Sequence, residues 1–221
     1  MSSAHHRILL LTCMHENSER LPGKMLRRIG GVPLATIALK KIRAAAKRFS
    51  VSSCVALCPT DARLVAIARV TGIPVFERTV SSRNGETYEQ IYKNWDKAFA
   101  DFDWVIVVNP CMPFLRIETI GQAIDATRSA RGPVASIFRS RGCVWDHHHR
   151  LVIGKGLPNT KKNPEFSVLA HAFFCYPSAT LGHPAMTQYR AFSALERGME
   201  FLDIDTMKDL TAARAWTRCQ R

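Results

Sequence analysis

Short apolar runs recur along the chain, and each gives way to a segment with helical periodicity. Residues 7–13 (RILLLTC), 51–57 (VSSCVAL), 103–108 (DWVIVV) and 133–139 (PVASIFR) read as strands. The third is apolar almost throughout, as suits a strand covered on both faces. Residues 33–48 read as a helix. Pro33 suits its first turn, and Leu34, Ile37, Ala38, Ile42 and Ala45 form one stripe. The segment PTDARLVAIARVTG reads as a second helix, with Thr60 as N-cap and Gly72 as its stop. A short strand (IPVF), an amphipathic helix over 85–102 and a further helix over 116–130 complete the alternation. Strand and helix repeated in this way predict parallel pairing with right-handed crossovers. The fold class is therefore α/β, a three-layer Rossmann-like arrangement around a mostly parallel sheet.

The alternation breaks at residues 140–168, where Gly, Pro and Asn cluster among short β-like pieces. This predicts an excursion from the sheet, either a hairpin arm or a lid. The chain then returns as a strand (LAHAFFCY), a short final strand (EFLDID) and a last helix (TMKDLTAARAW). That helix has Thr206 as N-cap and Asp209 three residues on, close to a capping box. The 221 residues suit one domain, 1–221, with the excursion inside it.

Composition narrows the functional classes. No apolar run approaches the roughly 20 residues that cross a bilayer, and the N-terminal segment reads as the first strand, not as a signal peptide. Seven cysteines, without a CxxC pair, suggest buried thiols in a reducing cytoplasm, and no zinc site. The net charge of +13 predicts attraction to polyanions: nucleic acid, a nucleoside triphosphate or an acidic sugar. The cations are spread over helical faces such as LKKIRAAAKR and form no tract, so nucleic acid is the least favoured. The histidines of DHHH, residues 146–149, lack metal-ligand spacing and read as an exposed loop or a subunit contact.

In an open α/β sheet, ligands bind outside the carboxyl ends of the strands. Three loops fall there: 14–24, 109–116 and 203–206. The first contains ENSERLPGK, with Gly23 and Pro22 between Arg20 and Lys24. Backbone N–H groups and two point charges suit a triphosphate. The loop is neither GxxxxGK[ST] nor GxGxxG, and a surface turn with solvated charges is the plain alternative. In DIDT, Asp203 and Asp205 point the same way if the chain is extended. Two carboxylates aimed at one spot need a divalent cation or a basic group between them; otherwise Asp205 serves only to start the last helix.

The stretches ENSERLPGKML, GGVPLATIALKKI, VVNPCMPFLR and FLDIDTMKDLTAA, in this order and spacing, resemble the sugar-acid cytidylyltransferases. These are the CMP-sialic acid synthetases (acylneuraminate cytidylyltransferases), with CMP-Kdo synthetases and spore-coat polysaccharide proteins as relatives. The resemblance implies a nucleotidyltransferase fold of the GT-A-like kind, with the excursion serving as a dimerisation arm. It implies that CMP passes from CTP to an acidic 2-keto sugar with release of pyrophosphate. Lys24 and Arg20 would hold the triphosphate, and Met14, His15, Asn17, Ser18 and Arg78 would lie at the nucleotide. Asn109 and Phe173 would face the sugar, and Asp203 and Asp205 would hold Mg²⁺. The implied partners are CTP, an acidic sugar and a second copy of the chain, with no nucleic acid and no membrane. Two alternatives stay open: a related nucleotidyltransferase with another substrate, and a non-catalytic nucleotide-binding homologue. The resembling pattern has Gln at Asn109, and its Asn-Gly-Ala-Phe reads AHAF at 170–173.

Overall fold

The computed structural model describes residues 6–154 and 160–220. The first five residues of the predicted N-terminal segment, and 155–159 of the predicted excursion, lie outside the described residues. In chain order, β1 (Ile8–Cys13) leads to a small hairpin of β2 (Arg28–Ile29) and β3 (Val32–Pro33). Next come α1 (Leu34–Phe49), β4 (Ser52–Leu57), α2 (Ala62–Thr71) and β5 (Val75–Glu77). Three single-turn helices follow, α3 (Val80–Arg83), α4 (Tyr88–Ile91) and α5 (Trp95–Ala98), then β6 (Trp104–Val108), α6 (Ile117–Ser129) and β7 (Val134–Arg141). The remainder is a hairpin of β8 (Val144–Trp145) and β9 (Leu151–Ile153), then β10 (Glu165–Pro177), β11 (Ala191–Leu195) and α7 (Met207–Cys219). No helix among the described residues is long and apolar enough to cross a membrane.

The main sheet has seven strands in the order β11-β7-β10-β6-β1-β4-β5. β1 pairs in parallel with both β4 and β6, and β4 with β5. β10 runs antiparallel to β6 and to β7, and β11 is parallel to β7. Six strands therefore share one direction, and only β10 opposes them. From β1 the sheet first grows toward β5 and then returns to place β6 on the other side of β1. The carboxyl ends of β1 and β6 flank this switch point, where a crevice opens in doubly wound sheets.

Side-chain alternation along β1 separates two cores. Ile8 and Leu10 face α1, α2, α6 and α7, and Leu9 and Leu11 face the layer built from α4, α5 and Tyr176. The second core is aromatic. Trp95 stands edge-on to Phe76, Tyr92 and Phe99, with ring centroids 5.1, 4.8 and 5.9 Å away.

Several local expectations are corrected. The helix over 85–102 is two separate turns, α4 and α5, because Thr87 caps the first with a full capping box and Asn94, in a left-handed conformation, starts the second. The N-cap of α2 is Asp61, not Thr60, whose hydroxyl instead accepts a bond from Arg83. Pro33 ends β3 and caps α1 instead of lying in its first turn. The segment EFLDID is not a strand: a 3-10 turn at Met199–Phe201 runs into extended coil, and the last strand is β11, earlier in the chain. The excursion is a β7–β10 ladder that runs past the sheet, reaching Arg141 and Glu165, with the β8–β9 hairpin at its end. The Gly72 stop and the Thr206–Asp209 capping box are both present.

The β7–β10 ladder changes register between Leu169 and Phe174. At this bulge His171 takes a left-handed backbone conformation, φ 54°. Buried Ser136 repairs the interruption: its hydroxyl donates to Phe173 O at 2.9 Å and accepts from the N–H groups of Ala172 and Phe173, each at 3.1 Å. Ser136→Ala would leave both N–H groups buried without a partner, at a cost of about 2–4 kcal/mol. Urea denaturation should show the midpoint falling with an unchanged slope.

Candidate active site

The loop after β1 is strapped to the start of α2. Glu16 accepts bonds from Arg63 N at 3.0 Å and Arg63 Nε at 2.7 Å, and its own N–H donates to Asp61 Oδ1 at 3.2 Å. Asp61 is buried and also faces Arg83 Nη1 at 3.4 Å. These contacts fix the loop so that Gly23, in the left-handed region at φ 65°, turns the chain into a 3-10 turn beginning at Lys24.

From the other end of the chain, Glu200 reaches over the start of α6 and accepts from Arg116 N at 2.9 Å, Arg116 Nε at 2.7 Å and the Thr119 hydroxyl. Ile204 is fully buried, and its N–H donates to Cys111 O at 2.9 Å. With Ile204 held inward, the carboxylates on either side of it turn out to the crevice.

The two segments meet there. Lys24 Nζ donates to Asp205 Oδ1 at 2.9 Å, and Arg20 Nη2 lies 3.1 Å from Asp205 Oδ2. Asn109 Nδ2 donates to Asp203 Oδ2 at 2.9 Å. All five side chains line one cleft of about 530 Å³. Its opposite wall is aromatic, from Tyr88, Tyr92, Phe174 and Tyr176.

Charge is unevenly compensated in this cleft. Burial pushes the Asp203 carboxyl up, the Asn109 amide opposes that shift, and the Asp205 charge adds to it. Its Oδ1 atom is buried with no hydrogen-bond partner. Burial lowers the Lys24 pKa, while Cys111 and Asp205 beside it raise it, and the net direction is up. Two neighbouring carboxylates, one with an orphaned oxygen, can accept a hard divalent cation, which binds oxygen ligands and keeps sites for water or phosphate. Lys24 and Arg20 are then available to anionic oxygens.

The other predicted residues divide. Met14 is fully buried in the main core, so its side chain cannot reach a ligand in the cleft. His15 is partly buried; burial, then the Arg78 charge, pull its pKa down, which favours the neutral ring. Asn17 is exposed, and Ser18 Oγ is buried without a partner. Arg78 is buried, with Nε unpartnered, and its charge acts on Cys13 and His15 from beside the cleft, not in its lining. Asn109 lines the cleft, and its amide makes two internal bonds: the N–H₂ donates to Asp203, and Oδ1 accepts from the Cys111 N–H at 2.8 Å. These bonds orient Asp203 and use one of the amide's two N–H donors and one of its two lone pairs. Phe173 is a correction. It is fully buried in the main core, and its neighbour Phe174 faces the cleft, because successive strand residues point to opposite faces.

Sequence reasoning missed Tyr88, Tyr92, Tyr176, Cys111 and His171 as lining residues. His171 carried a signal. In the pattern Asn-Gly-Ala-Phe a glycine stands at its position, and the left-handed backbone found there is one that glycine adopts freely. The DHHH segment forms a turn in which Asp146 accepts from His148 N at 2.9 Å, Arg150 N at 3.0 Å and Arg150 Nε at 2.8 Å.

A cytidylyltransferase family model matches residues 14–144, more than half of the chain. Among solved structures, the chain resembles CMP:2-keto-3-deoxy-manno-octonic acid synthetase complexed with CTP. The TM-score is 0.69 at 14% identity, over 97% of this chain and 100% of that one. It also resembles 4-diphosphocytidyl-2C-methyl-D-erythritol synthase from Anaerococcus prevotii, with a TM-score of 0.69 at 13% identity over 98% and 97% of the two chains. A cytidylyltransferase from Leptospira borgpetersenii gives 0.62 at 13% identity over 96% and 86%. At such identities these likenesses establish a shared fold. No curated protein matches the sequence significantly.

The loop that carries Asn109 and Cys111 is held from behind. Lys41, on α1, donates from Nζ to Met112 O and Pro113 O, each at 2.8 Å. Burial lowers its pKa from 10.5 to about 7, with the Glu200 charge opposing. Between about pH 7 and 10.5 the unfolded chain binds a proton here that the folded chain does not, so this residue makes stability rise with pH across that window. Lys41→Met should flatten that rise, as measured by chemical denaturation at pH 7, 8.5 and 10. The same variant should loosen the 109–115 loop, seen as faster amide exchange at Cys111 and Ile204.

Proposed function

Since the chain belongs to the cytidylyltransferase family, we propose that this nucleotidyltransferase moves CMP from CTP to the hydroxyl of an acidic 2-keto sugar of the sialic-acid or Kdo kind, releasing pyrophosphate. The observation that carries the reading is the meeting of Lys24 and Arg20 with Asp205, beside Asp203, in one cleft at the switch point of the sheet.

Asp203 and Asp205 would hold Mg²⁺; the unpartnered Asp203 Oδ1 and the acidity of the pair fit that ion. The ion, when bound, would neutralise phosphate charge and make a coordinated hydroxyl more acidic. This chain's own residues do the rest. Lys24 and Arg20, drawn off Asp205, contact the phosphates and stabilise charge on the departing pyrophosphate. Asn109 keeps Asp203 oriented. The acceptor oxygen forms the new bond to the α-phosphorus as the bond to the β-phosphate side breaks; pyrophosphate leaves, and the hydroxyl proton passes to solvent water. Phe174, Tyr88 and Tyr176 give the acceptor an apolar wall that excludes water.

A related transferase with another acceptor is the second reading. It is favoured by Asn109, which stands where the resembling pattern has the longer Gln and which makes two of its hydrogen bonds within the protein. The second copy implied by the arm would cover Trp145 and Val152, which are 54% and 63% exposed. The seven free thiols fit a reducing cytoplasm.

Pyrophosphate release from CTP, measured with a panel of acidic 2-keto sugars and neutral sugars in the presence of Mg²⁺, should single out an acidic sugar. Turnover with a neutral acceptor only would favour the second reading. Lys24→Met and Asp203→Asn should each lower kcat on the order of 100-fold or more, with folding unchanged by circular dichroism. Light scattering should show a dimer that Trp145→Ser weakens.

A further inference from the structure

On the far side of the Lys24 turn, a second cleft is lined by charge of one sign. Arg28, Gly30, Gly31, Arg214, Thr217 and Arg218 enclose about 440 Å³ between the β2–β3 hairpin and the outer turns of α7. Among the described residues, no carboxylate lines it. The only acid on either element, Asp209, is committed to Thr206 at the opposite end of α7. Among the described residues, none of the three arginines forms an ion pair.

Two of the guanidinium groups are held in place by backbone. Arg28 Nη1 donates to Gly31 O at 2.7 Å, and Arg214 Nε donates to Arg28 O at 3.0 Å. Each bond uses one of the five donors that a guanidinium carries, leaving the others for the cleft. Arg218 lies one turn beyond Arg214, on the same face of the helix, where like charges repel. These three exposed cations have no carboxylate partner among the described residues, so an anion entering the cleft would lower their mutual repulsion, which the carbonyl end of α7 and solvent already reduce in part. The fork of donors on arginine matches a tetrahedral oxyanion two bonds at a time.

We propose that this cleft binds a phosphoryl dianion, either inorganic phosphate, pyrophosphate or a phosphomonoester, at a site separate from the catalytic cleft. Its position gives that binding a consequence. The hairpin follows directly on the turn that carries Lys24, with Arg27 holding Pro22 O at 3.1 and 3.2 Å, and α7 follows directly on Asp205. An anion shared by Arg28, Arg214 and Arg218 clamps together the two elements that bring Lys24 and Asp205 into contact.

Inorganic phosphate and pyrophosphate are titrated by calorimetry at constant ionic strength without divalent ions, into the Lys24→Met chain so that the catalytic cleft contributes little. A saturable heat of binding is expected. Arg28→Gln and Arg218→Gln should each weaken binding by about tenfold, while the remote Arg69→Gln should leave it unaltered. Flotation with vesicles containing phosphatidic acid forms a second arm. Binding there that is lost in Arg28→Gln and Arg218→Gln assigns the phosphate to a lipid headgroup; a response to free phosphate assigns it to a soluble ion. A response equal in chloride, or one unaffected by both arginine substitutions, overturns the proposal. So does the absence of any response in both arms.

Discussion

Lys24 and Asp205 are 181 residues apart in sequence and 2.9 Å apart in space. Everything else at the crevice is arranged around that contact. Their side chains are only 14% and 29% exposed, so each has given up much of its hydration. A pair of this kind is weak evidence for stability, since desolvation offsets much of the attraction. Its position suits the proposed chemistry, in which a cation and an acid that both serve the reaction are stored against one another until charged substrates separate them. Arg20, far more exposed, sits at the second oxygen of the same carboxylate and can leave with little loss.

Bringing the two halves together falls to polar anchors that are not themselves part of the chemistry. Glu16 and Asp61 tie down one loop, Lys41 the next, and Glu200 the approach to Asp203. The backbone bond from Ile204 to Cys111 joins the last two directly. A loop at the end of a parallel strand has no ladder to hold it, so its precision depends on such cross-links. The β10 bulge serves the same end on the sheet itself. By keeping Phe173 in the core and presenting Phe174 to the cleft, it decides which aromatic ring can meet a ligand.

Period and composition made the skeleton legible. The apolar runs at 7–13, 51–57 and 103–108 are β1, β4 and β6 to within a residue or two, and α1 buries the stripe read from its spacing, with Ile37 only partly covered. The convergence of Lys24 with the Asp203–Asp205 segment was visible as motif chemistry, though Lys24 bonds Asp205 and not Asp203. What was not visible has physical causes. The amphipathic pattern over 85–102 says which side is apolar but not that the backbone starts afresh at Thr87 and again at Asn94. β11, AFSAL, alternates only weakly because it is an edge strand with Phe192 57% exposed. The insertion of β10 between β6 and β7 is a long-range choice that leaves no local mark. Side-chain direction at Phe173 and Asn109 depended on register and on partners far away in sequence, which residue identity alone does not encode.

The long separation across the ion pair also bears on how the chain is made. During synthesis Lys24 leaves the ribosome some 180 residues ahead of its counter-charge, and β6, which completes the crevice wall beside β1, follows at an intermediate time. Until the DIDT segment emerges and docks, the nascent protein is a basic half-cleft without its acidic side. The cleft is thereby assembled only once the DIDT segment has emerged, and a chain truncated before it would lack the carboxylates that face Lys24 and Asn109.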